Sequence, residues 1–380
     1  MYMNLDKRWP DGWRILCVRP DNLGDVLMTT PAFRALKELA PNGHLTLLTS
    51  SAGATVAPMI PELDDTLIVD LPWVSTCSQP DPAAVLALAD RLRQGRFDAA
   101  VIFTVQSQNP LPSAMLCYLA GIPHVLSYCR ENPYQLVSNW VPDPEVLVAT
   151  RHEVTRQLDL VRTIGAEPQT DRLSLVVPAG ARQQARQILS SAGIDSTQPW
   201  YLLHPGVSEE KRRYPAAAFA SAARQLLDEL GGQLILTGSA SEQAYVETIR
   251  QQICSDNAFR PVYNLAGRFD LPTLAGLIAD APVLIANNTG PVHMAAALRT
   301  PVVVLYAKTN PQHTPWQVAS RVLYFDVPVH LRSRNVLLQQ FPDTDGPVAS
   351  AGAIVQAVRE LTRLDTRHDI HPFQLNQSLR

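Results

Sequence analysis

The residues best placed to do chemistry are Asn287-Asn288-Thr289-Gly290-Pro291-Val292-His293, a polar turn between the apolar runs 282–286 and 302–306. The pattern reads strand, turn, helix, strand. Asn288, Thr289 and Gly290 would open the helix, where the first backbone N–H groups lack intrahelical partners and the helix dipole favours an anion. A phosphate suits such a place. The same residues also fit a structural turn, capped by Asn288 or Thr289, with His293 packed inside the helix.

Three further turns carry polar groups. Arg19-Pro20-Asp21-Asn22-Leu23-Gly24-Asp25 follows an apolar run at 14–18. It has one glycine where a dinucleotide fingerprint has three. Asp25 either caps the helix that begins here or serves as a general base at a strand end. Pro31 removes one backbone donor from that helix, early enough for the loss to be small. His204-Pro205-Gly206-Val207-Ser208 leads into Lys211-Arg212-Arg213. Ser208 and the backbone near Gly206 can donate hydrogen bonds, and the cations can pair with a diphosphate; a solvated loop before a helix at Pro215 fits as well. In Thr237-Gly238-Ser239-Ala240-Ser241-Glu242, Gly238 admits a ligand to the backbone and Glu242 suits a ribose diol. Ser239 and Glu242 also have capping-box spacing.

The elements that position these turns alternate. In the first half, strands are expected at 14–18, 44–49, 66–69 and 98–103, with helices at 24–39, 86–94 and 151–164. In the second, strands at 200–203, 233–236, 282–286 and 302–305 alternate with helices at 216–229, 242–253 and 271–279; a last helix covers 353–364. Such alternation means α/β architecture, with parallel sheets covered by helices on both faces. Two such series predict two facing, doubly wound, Rossmann-like domains, 1–185 and 186–350. Residues 351–380 form a C-terminal helix and tail that can fold back on the first domain. Ligands of such sheets sit beyond the carboxyl ends of the strands, where all four turns fall.

Composition excludes several classes. Among 380 residues, 32 Lys and Arg oppose 35 Asp and Glu, a net charge of −3, which gives no electrostatic case for nucleic acid. The cysteines at 17, 77, 117, 129 and 254 have no C-x-x-C spacing and read as buried free thiols of a reduced, cytoplasmic protein. No apolar run approaches the roughly 18 residues that span a bilayer. At the N-terminus, Lys7, Arg8, Trp9 and Trp13 offer either a membrane-surface contact or an unstructured leader; the last dozen residues read as frayed. No metal-ligand spacing, P-loop or nucleophile elbow is present, and Asp343-Thr344-Asp345 reads as a turn between Pro342 and Gly346.

Taken together, Asp21-x-x-Gly24-Asp25-x-x-x-Thr29-x-Pro31, His204-Pro205-Gly206 with its basic stretch to Tyr214-Pro215, and Asn288-Thr289-Gly290-Pro291-x-His293-x-x-Ala296-Ala297 resemble glycosyltransferase family 9, the lipopolysaccharide heptosyltransferases. The resemblance runs over roughly residues 14–310. It implies a GT-B fold and inverting, metal-independent transfer of a heptose from ADP-heptose to a lipopolysaccharide-type acceptor, with no cofactor. It implies Asp25 as general base, with Asn22 and Gly24 on the acceptor side. For the nucleotide sugar it implies Gly206, Ser208, Lys211 or Arg212, Gly238, Glu242, Asn288, Thr289, Gly290 and His293. Asn288 departs from the Asp that members often carry. The loops 106–112 and 129–134 are expected on the acceptor side, and peripheral contact with an inner membrane is allowed. The competing readings are a non-catalytic nucleotide-sugar-binding module, an enzyme of the same family with another sugar or acceptor, and an epimerase of the nucleotide sugar.

Overall fold

A computed structural model describes residues 8–74, 81–143, 151–256, 258–307, 311–326 and 348–363. The described chain falls into two compact units, one reaching Val176 and including Pro311–His313, the other beginning at Val177. Met1 to Lys7, Cys77, the Asp343-Thr344-Asp345 turn and the tail after Arg363 lie outside the described residues.

In the first unit β1 (Arg14–Val18), α1 (Leu23–Leu39), β2 (His44–Thr49), α2 (Ser51–Ala54), β3 (Asp65–Ile68), α3 (Pro82–Gln94), β4 (Ala99–Ile102), α4 (Leu111–Leu119), β5 (His124–Cys129), β6 (Asn139–Pro142) and α5 (Glu153–Arg162) follow in order. The strands form one parallel sheet in the order β3-β2-β1-β4-β5-β6. Every residue of β1 after Arg14 is buried, as expected of a central strand covered on both faces. One core beneath the sheet joins Leu16, Val18, Leu88, Leu92, Ile102, Leu116 and Val125.

The second unit repeats the plan with α6 (Ala181–Ser191), β7 (Trp200–His204), α7 (Ala216–Leu230), β8 (Gln233–Leu236), α8 (Gln243–Ile253), β9 (Val262–Asn264), α9 (Leu271–Asp280), β10 (Leu284–Asn287), α10 (Gly290–Leu298), β11 (Val302–Ala307), β12 (Ser320–Phe325) and α11 (Ala351–Arg363). Its parallel sheet runs β12-β11-β10-β7-β8-β9. Numbered within each unit, both sheets have the order 3-2-1-4-5-6. The order reverses beside β1 and β4 in one unit, and beside β7 and β10 in the other. Ligands of doubly wound folds bind at that reversal, beyond the strand ends.

Several expectations change. The first unit ends near Val176, short of 185: the Val176 N–H bonds Met59 O at 2.8 Å, whereas α6 packs on α9. A Cβ at Gly276 would lie 2.8 Å from Ala181 and Arg182 backbone atoms, so glycine lets the two helices approach, and Arg182 and Arg186 each pair with Asp280 at 2.8 Å. Instead of folding back on the first unit, α11 buries Ile354, Val355, Val358 and Leu361 in the core formed with α7 and the second sheet. Trp9 is buried against Trp13, which stacks on His124 at 4.9 Å, so these two rings are part of the fold. Cys17, Cys117 and Cys129 are buried thiols and Cys254 is half-buried. No helix among the described residues is long and apolar enough to cross a membrane.

Candidate active site

At the reversal in the first sheet, the turn after β1 builds a buried charge cluster around Arg19, which is 0% exposed. Its Nη2 donates to Glu153 Oε1 at 2.7 Å and reaches Asp25 Oδ1 at 3.5 Å, while its Nε lies 3.2 Å from Asp21 Oδ2. Gln108, in the loop after β4, donates to Asp21 Oδ1 at 2.6 Å across the reversal. Burial opposes the charge on Arg19, but Asp21, Glu153 and Asp25 outweigh it and hold the guanidinium above its ordinary range. Burial pushes Asp21 up to about 6 against the pull of Arg19. Burial also opposes the charge on Glu153, yet Arg19, His313, Arg156 and the Gln157 amide hold it below the ordinary range. Breaking a buried pair costs about 3–5 kcal/mol, because the surviving charge is stranded. The cluster is therefore one unit, held from β1, α1 and α5.

Asp25 does not cap α1. Asn22 occupies the cap position without a side-chain bond, and Asp25 stands in the first turn with its carboxylate towards Arg19. A carboxylate there still gains from the helix dipole. Pro31 lies mid-helix rather than near its start. Its missing N–H would have bonded Leu27 O; the Thr30 hydroxyl does so instead, at 2.7 Å. The Ser174 N–H in turn donates to Thr30 Oγ1 at 2.8 Å, and the Thr29 hydroxyl donates to Asp25 O at 2.8 Å. The Thr-Thr-Pro run thus keeps a proline helix buried and intact directly below the acidic turn.

At the reversal in the second sheet the loops carry the opposite charge. Glu209 Oε2 meets Lys211 Nζ at 2.5 Å, and Oε1 accepts from Arg212 Nη2 at 2.9 Å. Burial works to raise Glu209, but these two cations hold it below its ordinary range. Both residues between which the sequence leaves a choice therefore share one internal anion. Arg213 turns away, pairing with Glu210 at 2.8 Å and lying 4.3 Å over the Tyr245 ring. Ser208 is exposed beside them.

Asn287, fully buried at the end of β10, ties this loop to the helix start. Its Oδ1 accepts from the Tyr214 N–H at 3.0 Å and its Nδ2 donates to Pro205 O at 2.8 Å. Thr289 is the cap residue of α10, with no side-chain bond into the helix. Pro291 has no N–H and the Val292 N–H goes to Thr289 O at 3.0 Å, so an anion at this helix start would meet the N–H groups of Thr289 and Gly290. Asn288 is 3% exposed, and its Oδ1 has no hydrogen-bond partner among the described residues. His293 is buried in α10.

Glu242 joins the loops after β7 and β8. Oε1 accepts from the Val207 N–H at 3.1 Å, and Oε2 from the Ser239 N–H and hydroxyl at 2.8 and 2.9 Å, which completes the expected capping box. Burial opposes its charge, but the Ser239 N–H and hydroxyl and the Val207 N–H hold it below the ordinary range. A Cβ at Gly206 would meet its carboxylate oxygens at 2.5 and 2.6 Å, and one at Gly238 would meet Oε2 at 3.3 Å, so both glycines leave room for it. His204, buried, is depressed by burial to about 4 and stays neutral, with Nδ1 3.1 Å from Thr237 Oγ1.

The structure therefore brings Gly206, Lys211 and Arg212 together with the Asn288-Thr289-Gly290 turn through Asn287, and Gly206 with Gly238 through Glu242. Asp25 is gathered with Asp21 and Arg19. Sequence reasoning gave no role to Arg19, Glu153, Asn287 or Glu209. Arg19 carried a signal, a charge directly after a buried strand; Glu153, 134 positions away in the chain, carried none. Of the loops expected on the acceptor side, 106–112 runs into α4 and contributes Gln108, and 129–134 begins at the last residue of β5. Among the described residues no group of three His, Cys, Asp or Glu could hold a metal ion.

Two parallel 3-2-1-4-5-6 sheets, one ending in an acidic turn and the other in a cationic, helix-capped loop, make a doubly wound α/β fold of GT-B type. Residues 85–337 match the model of glycosyltransferase family 9 (heptosyltransferase), and the chain belongs to that family. The matched span holds the second unit's turns; the Asp25 turn precedes it. The chain is 27% identical over 315 residues to lipopolysaccharide heptosyltransferase 2 of Escherichia coli strain K12, covering 80% of this chain and 85% of that one. Its fold is similar to that of a family 9 glycosyl transferase from Veillonella parvula DSM 2008, at 20% identity and a TM-score of 0.74, over 95% of this chain and 99% of that one. It is also similar to E. coli ADP-heptose lipopolysaccharide heptosyltransferase II, at 24% identity and a TM-score of 0.67, over 92% and 98%.

Proposed function

We propose that this glycosyltransferase moves a heptose from ADP-heptose to a hydroxyl of a lipopolysaccharide-type glycan, with inversion and without a metal, and that Asp25 is the base. One observation carries the reading: the two sheet reversals are oppositely equipped, a fixed carboxylate at one and Lys211, Arg212 and a helix N-terminus at the other. The sugar and acceptor come from the names of the relatives.

The acceptor O–H gives its proton to the Asp25 carboxylate while the oxygen attacks the anomeric carbon. The bond from that carbon to the ADP oxygen breaks, and ADP leaves with the electron pair. Its growing charge is met by Lys211, Arg212 and the Gly290 N–H, groups oriented before the reaction begins. A single displacement with one base inverts the anomeric centre. Thr289 and Ser208 donate to the diphosphate. Glu242 still has lone pairs for the ribose hydroxyls, and the unpartnered Asn288 Oδ1 accepts from a sugar hydroxyl. Gly206 and Gly238 keep Glu242 in place, and His293 packs beneath the turn. Asn22 and Gly24 border the acceptor. The enzyme works in the cytoplasm, peripheral to the inner membrane that carries such acceptors.

The test screens nucleotide sugars for thermal stabilisation, then follows nucleotide release with a lipopolysaccharide-core acceptor. ADP-heptose should stabilise the chain and release ADP only when acceptor is present. Conversion of the nucleotide sugar without any acceptor, or stabilisation without any release, would replace this reading with an epimerase or a binding module. In Asp25→Asn, transfer should fall by about three orders of magnitude while ADP affinity is kept. Near-normal turnover in that variant removes Asp25 from the base role.

A further inference from the structure

The first unit holds a buried carboxylate that the reaction above does not use. Glu153 opens α5, is 0% exposed, and makes the shortest of the ion pairs to Arg19. The Arg19 nitrogen that it binds, Nη2, is the one that reaches Asp25. One atom therefore serves both carboxylates. We propose that Glu153 is a positioning residue, which through Arg19 holds the Asp25 carboxylate in the orientation that accepts the proton. The proposal rests on Asp25 as base.

Glu153 is itself fixed. Gln157 donates to its Oε1 at 2.6 Å and also to Thr104 O at 3.0 Å. Arg156, the next charge on α5, donates to the same carbonyl at 2.9 Å and pairs with Asp143 at 3.0 Å. The carbonyl belongs to the loop after β4, which also sends Gln108 to Asp21. Arg19 is thus held from α5, from the β4 loop and from its own turn. His313 Nε2 lies 4.0 Å from Glu153 Oε2. The charged and titratable groups that face the pair are therefore Arg19, Asp21 and Asp25 from the β1 turn, Arg156 from α5, and His313.

This arrangement has an electrostatic consequence besides the geometric one. Glu153 cancels part of the field of Arg19, and without its charge that field falls on Asp21 and Asp25. A carboxylate beside a less compensated cation is a weaker base. Weaker basicity slows proton removal and moves the acid limb of the pH profile down, because Asp25 then stays ionised to lower pH. A residue that merely supported the fold would change stability and leave that limb where it was.

The experiment uses the full chain with ADP-heptose and a lipopolysaccharide-core acceptor. In Glu153→Gln, kcat should fall about tenfold with the KM for ADP-heptose within about twofold, and the acid limb should drop by about half a pH unit. Glu153→Asp keeps the charge and should restore the limb. Wild-type kcat in Glu153→Gln overturns the proposal, as does a lower kcat with an unmoved limb. If Glu153→Gln does not fold, Arg19→Lys decides: it keeps the charge but lacks the fork, so kcat must fall with KM intact, and wild-type kcat overturns the proposal. Turnover by Asp25→Asn defeats the reading of the base itself. A dead Asp25→Asn beside a fully active Glu153→Gln defeats only the role of Glu153.

Discussion

The two units share one strand order and differ in what they put at its reversal. In the first, β1 and β4 end in Asp21, Asp25 and Gln108 around a buried Arg19. In the second, β7 and β10 end in Lys211, Arg212 and the start of α10, joined by the Asn287 amide. The scaffold provides a place beyond the strand ends, and the loops decide its charge. The difference also lies in how charge is kept in check. Arg19 is compensated by three carboxylates in a buried cluster, whereas the two cations of the second unit share Glu209, which is partly open to solvent.

The comparison breaks most severely if the cationic loop is not the donor's. Replacing Lys211 and Arg212 together by Ala should weaken ADP binding about a hundredfold, measured by calorimetry, with the thermal midpoint of the ligand-free protein nearly unchanged. Unchanged affinity would leave the second unit without its assigned role.

The first unit is built to hold its turn rigidly, and Thr30 tests that. Thr30→Val removes the hydroxyl that replaces the missing Pro31 donor and also accepts from Ser174, leaving both groups unsatisfied. A loss of about 2–3 kcal/mol in denaturant unfolding is expected. A loss near zero would show that the helix relaxes around its proline.

Glu209 sharpens the contrast with a smaller effect of opposite sign. Because it already pairs with both cations, a diphosphate must displace it, so Glu209→Gln should tighten ADP binding about three- to tenfold. Weaker binding would mean that Glu209 orients the cations rather than competing for them.

The smallest effect is in the pH dependence of stability, where the units should oppose each other. His204 titrates near 6.5 when unfolded and at about 4 when folded. Unfolding takes up a proton, so its contribution is lost as pH falls from 6.5 towards 4. Asp21 goes from 3.8 unfolded to about 6 folded. Folding takes up that proton, so its contribution grows as pH falls from 6 towards 3.8. His204→Gln should remove the first slope and Asp21→Asn the second in unfolding titrations. Equal slopes in wild type and variants would show that neither burial survives in solution.

Much of the frame was legible in the chain. Arg14–Val18, His44–Thr49 and Gln233–Leu236 stand at the expected bounds, because a strand buried on both faces is a continuous apolar run between turn residues. α2, α4, β5, β6, α6, β9 and β12 were not recognised. Leu111–Leu119 is apolar almost all round, and Asn139–Pro142 ends in proline, so neither shows a periodicity that local reading can use. The capping box at Ser239 and Glu242 was legible because both partners lie within one turn.

By itself, then, the sequence determined which residues follow which strands, and so which polar groups stand at the ends of parallel sheets. Hydrophobic period and turn chemistry are local, and they carry that far. Tertiary structure decided the partners. That Glu153 reaches Arg19 from α5, that Asn287 joins a loop 73 positions earlier to the start of α10, and that α11 belongs to the second core all depend on strand order. Strand order is fixed by how crossover helices pack and bury their apolar faces, a balance summed over the whole sheet, which no short stretch of residues contains.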